Sequence, residues 1–134
     1  MLATQTLARS DPQEITVCGA GEQAEWHIRG SLACFPKAKI RIWARRFDAA
    51  QQLAKRFCDQ PSQVVAISDL PAAVRGADVI HTVTASNEAF FCGAWLESGQ
   101  HINLVGAMYC LQEAAKIMTA QGSGSIINMS SLMG

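Results

Sequence analysis

The fold of this chain is decided by one stretch, Ile15-Thr16-Val17-Cys18-Gly19-Ala20-Gly21-Glu22-Gln23-Ala24. An apolar strand runs into a glycine-rich turn with G-x-G-x-x-A spacing, and the start of a helix follows. Gly19 permits a tight turn, Gly21 has no side chain to hold a pyrophosphate away from the backbone, and the small Ala24 lets the helix pack closely on the strand. The amide groups and positive dipole end of that helix would face the phosphates. The stretch therefore predicts a dinucleotide-binding turn, with an ordinary tight strand–helix turn as the alternative.

Length and composition limit the classes to which this protein can belong. The chain has 134 residues, which suits one domain, and 49% of them are hydrophobic against 16% charged. This balance is typical of an α/β domain whose sheet is covered on both faces. The net charge is zero, so we expect neither nucleic acid nor a membrane as a partner. An apolar run long enough to span a membrane and a signal-peptide pattern are both missing, which predicts a cytoplasmic protein.

The five cysteines do not form a recognisable metal or disulfide pattern. Their number is odd and no two have C-x-x-C spacing, since they stand at positions 18, 34, 58, 92 and 110. We expect reduced thiols, no disulfide framework and no metal site. Cys18 is interpreted as a packing residue of the first strand and not as a nucleophile.

Apolar runs and helical segments alternate along the chain, which predicts βαβ units and a parallel, doubly wound sheet with helices on both faces. The predicted strand order is 3-2-1-4-5-6, a Rossmann-type arrangement, with the cofactor beyond the ends of the first and fourth strands. Residues 1–12 are predicted to be a lead-in segment and residues 13–134 a single domain. The predicted strands are Ile15–Cys18, Ile40–Trp43, Val64–Ala66, Val79–Val83, His101–Val105 and Ser125–Met129. The predicted helices are Gln23–Cys34, Phe47–Phe57, Asp69–Arg75, Gly93–Glu97 and Met108–Ala120.

The end of the second predicted strand indicates which dinucleotide is bound. An acidic residue at this place would accept hydrogen bonds from the ribose 2′-hydroxyl of NAD. This chain has Trp43-Ala44-Arg45-Arg46 instead, and no carboxylate precedes Asp48. A guanidinium suits a 2′-phosphate through charge-assisted hydrogen bonds. We therefore predict NADP(H) in preference to NAD(H), while solvated strand-end charges are the alternative.

The predicted cofactor-binding residues come from the ends of four strands. Thr82-Val83-Thr84 would meet the ribose or nicotinamide, although ordinary β-branched strand propensity explains these residues equally well. Glu22 and Gln23 are expected to contribute backbone amides. The full predicted set is Gly19, Ala20, Gly21, Glu22, Gln23, Ala24, Ala44, Arg45, Arg46, Thr82, Val83, Thr84, Val105 and Gly106.

The histidines and tryptophans are predicted to be structural. His27, His81 and His101 are scattered over a helix and two strands, without the spacing of a metal site or a catalytic pair. The three tryptophans, at positions 26, 43 and 95, are interpreted as core or rim aromatics.

Residues 14–107 resemble the dinucleotide-binding domain of the ornithine cyclodeaminase/μ-crystallin family. The resemblance is carried by Val17–Ala24, by Arg41-Ile42-Trp43-Ala44-Arg45, by Ala73–Ile80 and by Trp95–Ala107. It implies NAD or NADP as cofactor and, for many members, reduction of cyclic imines or interconversion of amino acids. In the family an aspartate commonly follows the Gly-Ala of the last motif and serves the reaction. This chain has Met108 at that position, which removes a candidate acid or base.

The composition changes after about residue 106. Residues 107–134 hold only two charged residues and four of the five methionines. Glu113–Met118 and Gly124–Gly134 resemble a helix and strand of the short-chain dehydrogenase/reductase family, in which the serine matching Ser131 helps to bind the substrate carbonyl. The Tyr-x-x-x-Lys pair of that family is not present, because Tyr109 has no lysine at the right spacing. The simplest interpretation is an engineered chimera, a designed protein with a junction near residues 106–108.

These observations together predict an NADP(H)-binding Rossmann domain without efficient catalysis of its own. One alternative is an oxidoreductase of the imine or amino-acid type that completes its site by dimerisation or with a partner chain. The other is a structural scaffold that binds no ligand. Apolar surface left without a substrate domain makes a homodimer a further expectation.

Overall fold

Six parallel strands form one sheet in the order β3-β2-β1-β4-β5-β6. The computed structural model describes residues 2–60, 63–84, 90–105 and 108–129. The strands are β1 (Glu14–Cys18), β2 (Lys39–Trp43), β3 (Val64–Ala66), β4 (Val79–Thr82), β5 (His101–Val105) and β6 (Ser125–Met129). The helices are α1 (Leu2–Leu7), α2 (Glu22–Cys34), α3 (Phe47–Lys55), α4 (Leu70–Val74) and α5 (Met108–Gln121), and a 3₁₀ turn covers Gly93–Trp95.

The apolar side chains of the central strands alternate between the two faces of the sheet, so that each face has its own core. On one face, Ile15 and Val17 of β1 and Ile40 and Ile42 of β2 pack with α2 and α3. On the other face, Cys18, Ile80, Ile102 and Leu104 pack with α4, the 3₁₀ turn and α5. Burial on both faces explains why neither Ile15–Cys18 of β1 nor β4 contains an acidic residue, a lysine or an arginine.

The predicted fold class and strand order are confirmed. All six predicted strands are present, with shifts of one residue where β1 and β2 begin and where β4 ends. Predicted helix ends are less accurate: α3 stops at Lys55 instead of Phe57, and the predicted helix over 93–97 is a single 3₁₀ turn. Trp26 is the aromatic that departs most from its predicted place, because 63% of its surface is exposed on α2.

Three further properties bear on the class of protein. Within the described ranges, no helix is long and apolar enough to cross a membrane. The same residues contain no cluster of three or more His, Cys, Asp or Glu side chains that could hold a metal ion. Cys18, Cys34, Cys58 and Cys92 are not in disulfide bonds, and Cys18 is buried in the core as expected.

Candidate functional site

Gly19 lies where the chain leaves β1, between the ends of β2 and β4. Its amide donates a hydrogen bond to the Trp43 carbonyl oxygen at 2.7 Å, and the Val83 amide donates to the Cys18 carbonyl oxygen at 2.9 Å. Gly19 has a φ of +144°, a conformation that side chains rarely permit. A Cβ atom at this position would lie only 2.9 Å from the Val83 carbonyl oxygen. The turn therefore requires glycine for both conformation and space.

A cavity of about 360 Å³ opens above this turn, at the carboxyl edge of the sheet. It lies at the switch point between β1 and β4, where open α/β sheets bind their ligands. Its described lining comes from the glycine-rich turn and from the ends of β2 and β4: Gly19, Ala20, Gly21, Glu22, Gln23, Trp43, Ala44, Arg45, Val83 and Thr84. Nine of these ten residues belong to the set predicted from the sequence.

The first turn of α2 presents backbone amide groups to this cavity. Gly21 is the N-cap and has an extended conformation, and no side chain caps this helix end in the described part of the chain. A Cβ atom added to Gly21 would meet nothing within 4 Å, so the space beside this residue is open. Uncapped amide groups at a helix start suit an anion such as a phosphate.

The two neighbouring arginines that follow β2 have different surroundings. Arg45 lines the cavity, whereas Arg46 is the N-cap residue of α3 and is not part of the described lining. Both side chains are exposed, and neither forms an ion pair with a described carboxylate. Arg45 is therefore the guanidinium best placed for an anionic ligand.

Trp43 also lines the cavity, although the sequence predicts only a core or rim aromatic at this position. Its indole N–H donates to the Ser68 carbonyl oxygen at 3.2 Å, and its ring stacks on Phe90 with centroids 5.5 Å apart and 9° between the planes. These contacts fix the indole at the wall of the cavity. The alternation along β2 gave a signal for this position, because the buried Ile42 places its neighbour on the opposite face.

Three residues of the predicted set lie close to the cavity but do not line it as described. Ala24 is fully buried on α2, where its small side chain packs in the core as expected. Thr82 is buried on the sheet face that it shares with its strand partners Cys18 and Leu104, and its hydroxyl has no partner among the described residues. Arg46 is the third. Val83 and Thr84, in contrast, reach the cavity.

The remaining predictions fall at the limit of the described residues. Val105 ends β5, and its side chain is outside the described part. Gly106 and Ser131 lie outside the described residues altogether. Met108, which takes the position of the family aspartate, is the first residue of α5.

The described lining presents both charged and neutral polar groups to the cavity. The described lining offers one guanidinium from Arg45, one carboxylate from Glu22, one hydroxyl from Thr84 and several backbone amides. It contains no histidine, cysteine or lysine, the side chains that most often transfer protons or attack substrates near neutral pH.

Comparison with known proteins identifies the family. Residues 1–114 match the ornithine cyclodeaminase/mu-crystallin family, and the chain belongs to it. The Δ1-pyrroline-2-carboxylate reductase of Paracoccus denitrificans is 33% identical over 125 residues, which are 92% of this chain and 40% of that protein. The mouse ketimine reductase mu-crystallin is 35% identical over 106 residues, covering 79% of this chain and 33% of that protein. The chain thus spans two fifths or less of the length of these relatives.

Solved structures of dehydrogenases and reductases share the fold. An archaeal alanine dehydrogenase dimer with bound NAD matches with a TM-score of 0.71 and 26% identity, over 78% of this chain and 32% of that one. The Thermococcus litoralis Δ1-pyrroline-2-carboxylate reductase, solved with NADH and L-proline, has a TM-score of 0.72 and 23% identity, over 78% of this chain and 33% of that one. The iminosuccinate reductase of Paracoccus denitrificans, solved with NAD⁺, has a TM-score of 0.75 and 14% identity, over 96% of this chain and 55% of that one. The last two likenesses establish the fold.

Proposed function

We propose that this chain binds a nicotinamide dinucleotide in the cavity above Gly19 and Gly21, as the cofactor domain of an oxidoreductase of its family. The observation that carries the proposal is the convergence of the turn, Arg45 and Thr84 on one cavity at the switch point of the sheet. The pyrophosphate would lie against the amide groups that start α2. NAD bound to the related archaeal alanine dehydrogenase supports the same class of ligand here.

The proposed cofactor preference is NADP(H). Arg45 lines the cavity at the end of β2, where the adenosine ribose would lie, and the described lining contributes no carboxylate from this strand end. A guanidinium can form paired hydrogen bonds with a 2′-phosphate, which is a stronger interaction than a hydroxyl offers. Ala44 beside it leaves room for the ribose. NAD(H) would still bind through the parts that the two cofactors share.

Calorimetric titration of the 134-residue chain with NADPH tests the proposed binding. We expect saturable binding at one site per chain, because one cavity of the described part of the chain is built on the glycine-rich turn. Free adenosine should bind much more weakly, since it lacks the phosphates that the turn would hold. A chain that takes up no NADPH at millimolar concentration would overturn the proposal and leave the ligand-free scaffold.

Catalysis by this chain alone is proposed to be inefficient. A dinucleotide carries the hydride, but a protein must also orient the substrate and transfer a proton. The described lining of the cavity contains no histidine, cysteine or lysine, and its one carboxylate, from Glu22, stands in the turn where the pyrophosphate would lie. Met108 stands where the family resemblance implies an aspartate. NADPH binding without oxidation in the presence of Δ1-pyrroline-2-carboxylate is the expected result.

An oxidoreductase that completes its site with a second chain is the second candidate. The similarity to imine-reducing relatives favours it, as do the exposed apolar side chains Leu7 and Trp26, which suit self-association as a homodimer. Steady turnover of the imine that rises with protein concentration would support this candidate. Sedimentation of a pure monomer without turnover would exclude it.

A second origin for residues 108–134 remains a proposal about the history of the chain, as does the single domain over residues 13–134. The Paracoccus alignment covers 92% of the chain and must therefore cross residue 108. That extent favours one continuous family domain over a graft from a short-chain dehydrogenase/reductase. Sequencing the source gene across this region decides the point, because an unbroken natural reading frame over residues 1–134 would exclude a junction.

A further inference from the structure

Two polar side chains face each other in the centre of the sheet, below the cavity. His81 of β4 and Asn103 of β5 are partners in the strand register, and they are 0% and 3% exposed. Helix α2 covers them, and its residues His27 and Ser31 reach them. Buried polar groups are costly unless they form hydrogen bonds. The contacts of these four side chains therefore define how each must be oriented.

The proton positions follow from a carbonyl group in the first turn of α2. His27 Nδ1 lies 2.8 Å from the Gln23 carbonyl oxygen, which can only accept, so Nδ1 carries the hydrogen. In the neutral ring, Nε2 of His27 is then an acceptor. The Asn103 Nδ2 atom, 3.5 Å away, is the donor that faces it.

The same Asn103 amide sets the tautomer of His81. Asn103 Nδ2 lies 3.2 Å from His81 Nδ1 and gives its second hydrogen to that atom. His81 consequently carries its own hydrogen on Nε2, which lies 3.5 Å from the Ser31 hydroxyl oxygen. One assignment of hydrogens satisfies all four contacts.

Asn103 keeps this orientation at a cost. Its Oδ1 atom is buried and has no partner among the described residues. Turning the amide over would place that oxygen against His27 Nε2, another acceptor, and would lose both donated hydrogen bonds. Burial, together with the neighbouring His27 and His101, lowers the pKa of His81 to about 3, so this ring stays neutral near pH 7.

We infer that Asn103 is a positioning residue for the dinucleotide site, acting through His27 on the first turn of α2. The inference rests on the proposed function. Gln23, whose carbonyl group His27 holds, lines the cavity. A first turn that is fixed before binding loses less freedom when a phosphate reaches its amide groups. The amide of Asn103 thereby connects two central strands to the turn that would hold the pyrophosphate.

Nuclear magnetic resonance of the ¹⁵N-labelled histidines tests the proton assignment in the chain without cofactor. We expect His27 with its hydrogen on Nδ1 and His81 with its hydrogen on Nε2. In Asn103→Leu, both rings lose the hydrogen that the amide donates, so the ¹⁵N shifts of His27 Nε2 and His81 Nδ1 should both change. A wild-type His27 with its hydrogen on Nε2 would overturn the inference.

Calorimetry with NADPH tests the effect on binding. Asn103→Leu should weaken NADPH binding about five- to tenfold, the effect of about one net hydrogen bond. Gln100→Met is the matched control, because Gln100 is also a buried amide of which Nε2 donates to the Val74 carbonyl oxygen at 3.1 Å. It lies away from the cavity and should leave the affinity unchanged.

Several outcomes separate the inference from general destabilisation. Equal weakening by Gln100→Met, or unchanged affinity in Asn103→Leu, would overturn it. If Asn103→Leu does not fold, His27→Leu provides the comparison, because it removes the contact with the Gln23 carbonyl oxygen, and unchanged NADPH affinity in that variant counts against the inference. A wild-type chain with the expected tautomers but without NADPH binding would contradict the proposed function, since the hydrogen-bond network would then exist without a cofactor site.

Discussion

The amide nitrogen of Gly19 lies 2.7 Å from the carbonyl oxygen of Trp43, and this hydrogen bond joins the glycine-rich turn to the end of β2. The same turn approaches Val83 at the end of β4 so closely that no side chain fits at position 19. Three strand ends are thereby held together around one cavity. The arrangement explains why residues that are distant in the sequence converge on a single candidate site.

Two glycine substitutions should separate folding from binding. Gly19→Ala combines a positive φ with a close contact to Val83, so we expect a loss of about 2 kcal/mol in the free energy of unfolding. Gly21→Ala has a φ of −87° and open space for its methyl group, so its stability should be close to wild type. Its methyl group would still stand beside the pyrophosphate and weaken NADPH binding. Urea denaturation and calorimetry of both variants check the prediction, which fails if Gly21→Ala binds NADPH like wild type.

Asp69 caps the short helix α4. Its carboxylate oxygen accepts a hydrogen bond from the Ala72 amide at 3.0 Å. Asp69→Ala should lower the free energy of unfolding by about 1 kcal/mol, while Asp69→Ser should retain most of the capping effect. Thermal unfolding measures both, and equal losses in the two variants would contradict a capping role. NADPH affinity should not change, because α4 lies outside the cavity.

Asp78 anchors the segment before β1. One of its carboxylate oxygens accepts from the Gln13 and Glu14 amides at 2.6 and 3.1 Å, and the other pairs with Arg9 at 2.8 Å. Asp78→Ala should cost about 2 kcal/mol, since two amides lose a charged acceptor. Arg9→Ala should cost less than about 1 kcal/mol, because the arginine side chain is half exposed. Chemical denaturation of the two variants would contradict this order if Arg9→Ala were the more damaging.

Acid should destabilise the protein through His81. The unfolded chain protonates this histidine near its ordinary pKa of 6.5, whereas burial lowers the pKa in the folded chain to about 3. The unfolded state therefore binds more protons between these values, and stability falls as the pH decreases through that range. Burial also lowers the pKa of His101, which acts in the same direction.

Urea denaturation at several pH values measures this effect. His81 alone should reduce the free energy of unfolding by roughly 2 kcal/mol between pH 7.5 and pH 5. His81→Leu should be less stable at pH 7.5 but should lose less stability on acidification. Parallel pH profiles for the two proteins would show that another group causes the decrease.

The strands and their order in the sheet could be predicted from the sequence because the strands have strong local patterns. The run Ile15–Cys18 is apolar or β-branched, Val79–Thr82 is so except at His81, and a turn or helix start bounds each of them. Alternation of strands and helices then leaves few topologies for a parallel sheet. Gly93–Trp95 was mistaken for a longer helix because a short apolar segment does not distinguish a 3₁₀ turn from an α-helix.

Parts of the candidate site depend on side-chain direction and distant contacts, which local patterns do not contain. Arg45 and Arg46 are adjacent residues of the same type. Their surroundings differ because Arg46 is the N-cap residue of α3, whereas Arg45 lines the cavity. Asn103 and His27 are 76 positions apart and meet because α2 crosses above β5. The sequence predicts separate structural histidines, since nothing local indicates that one amide links two of them.

The ratio of the NADH and NADPH dissociation constants tests the central claim most directly, measured for the wild-type chain, Arg45→Ala and Arg46→Ala. Both substitutions remove one exposed charge, but only Arg45 lines the cavity. We expect wild type and Arg46→Ala to prefer NADPH by at least about tenfold, and Arg45→Ala to lose that preference while still binding NADH. Equal binding of NADH and NADPH by the wild-type chain, or an undiminished preference in Arg45→Ala, would contradict the account.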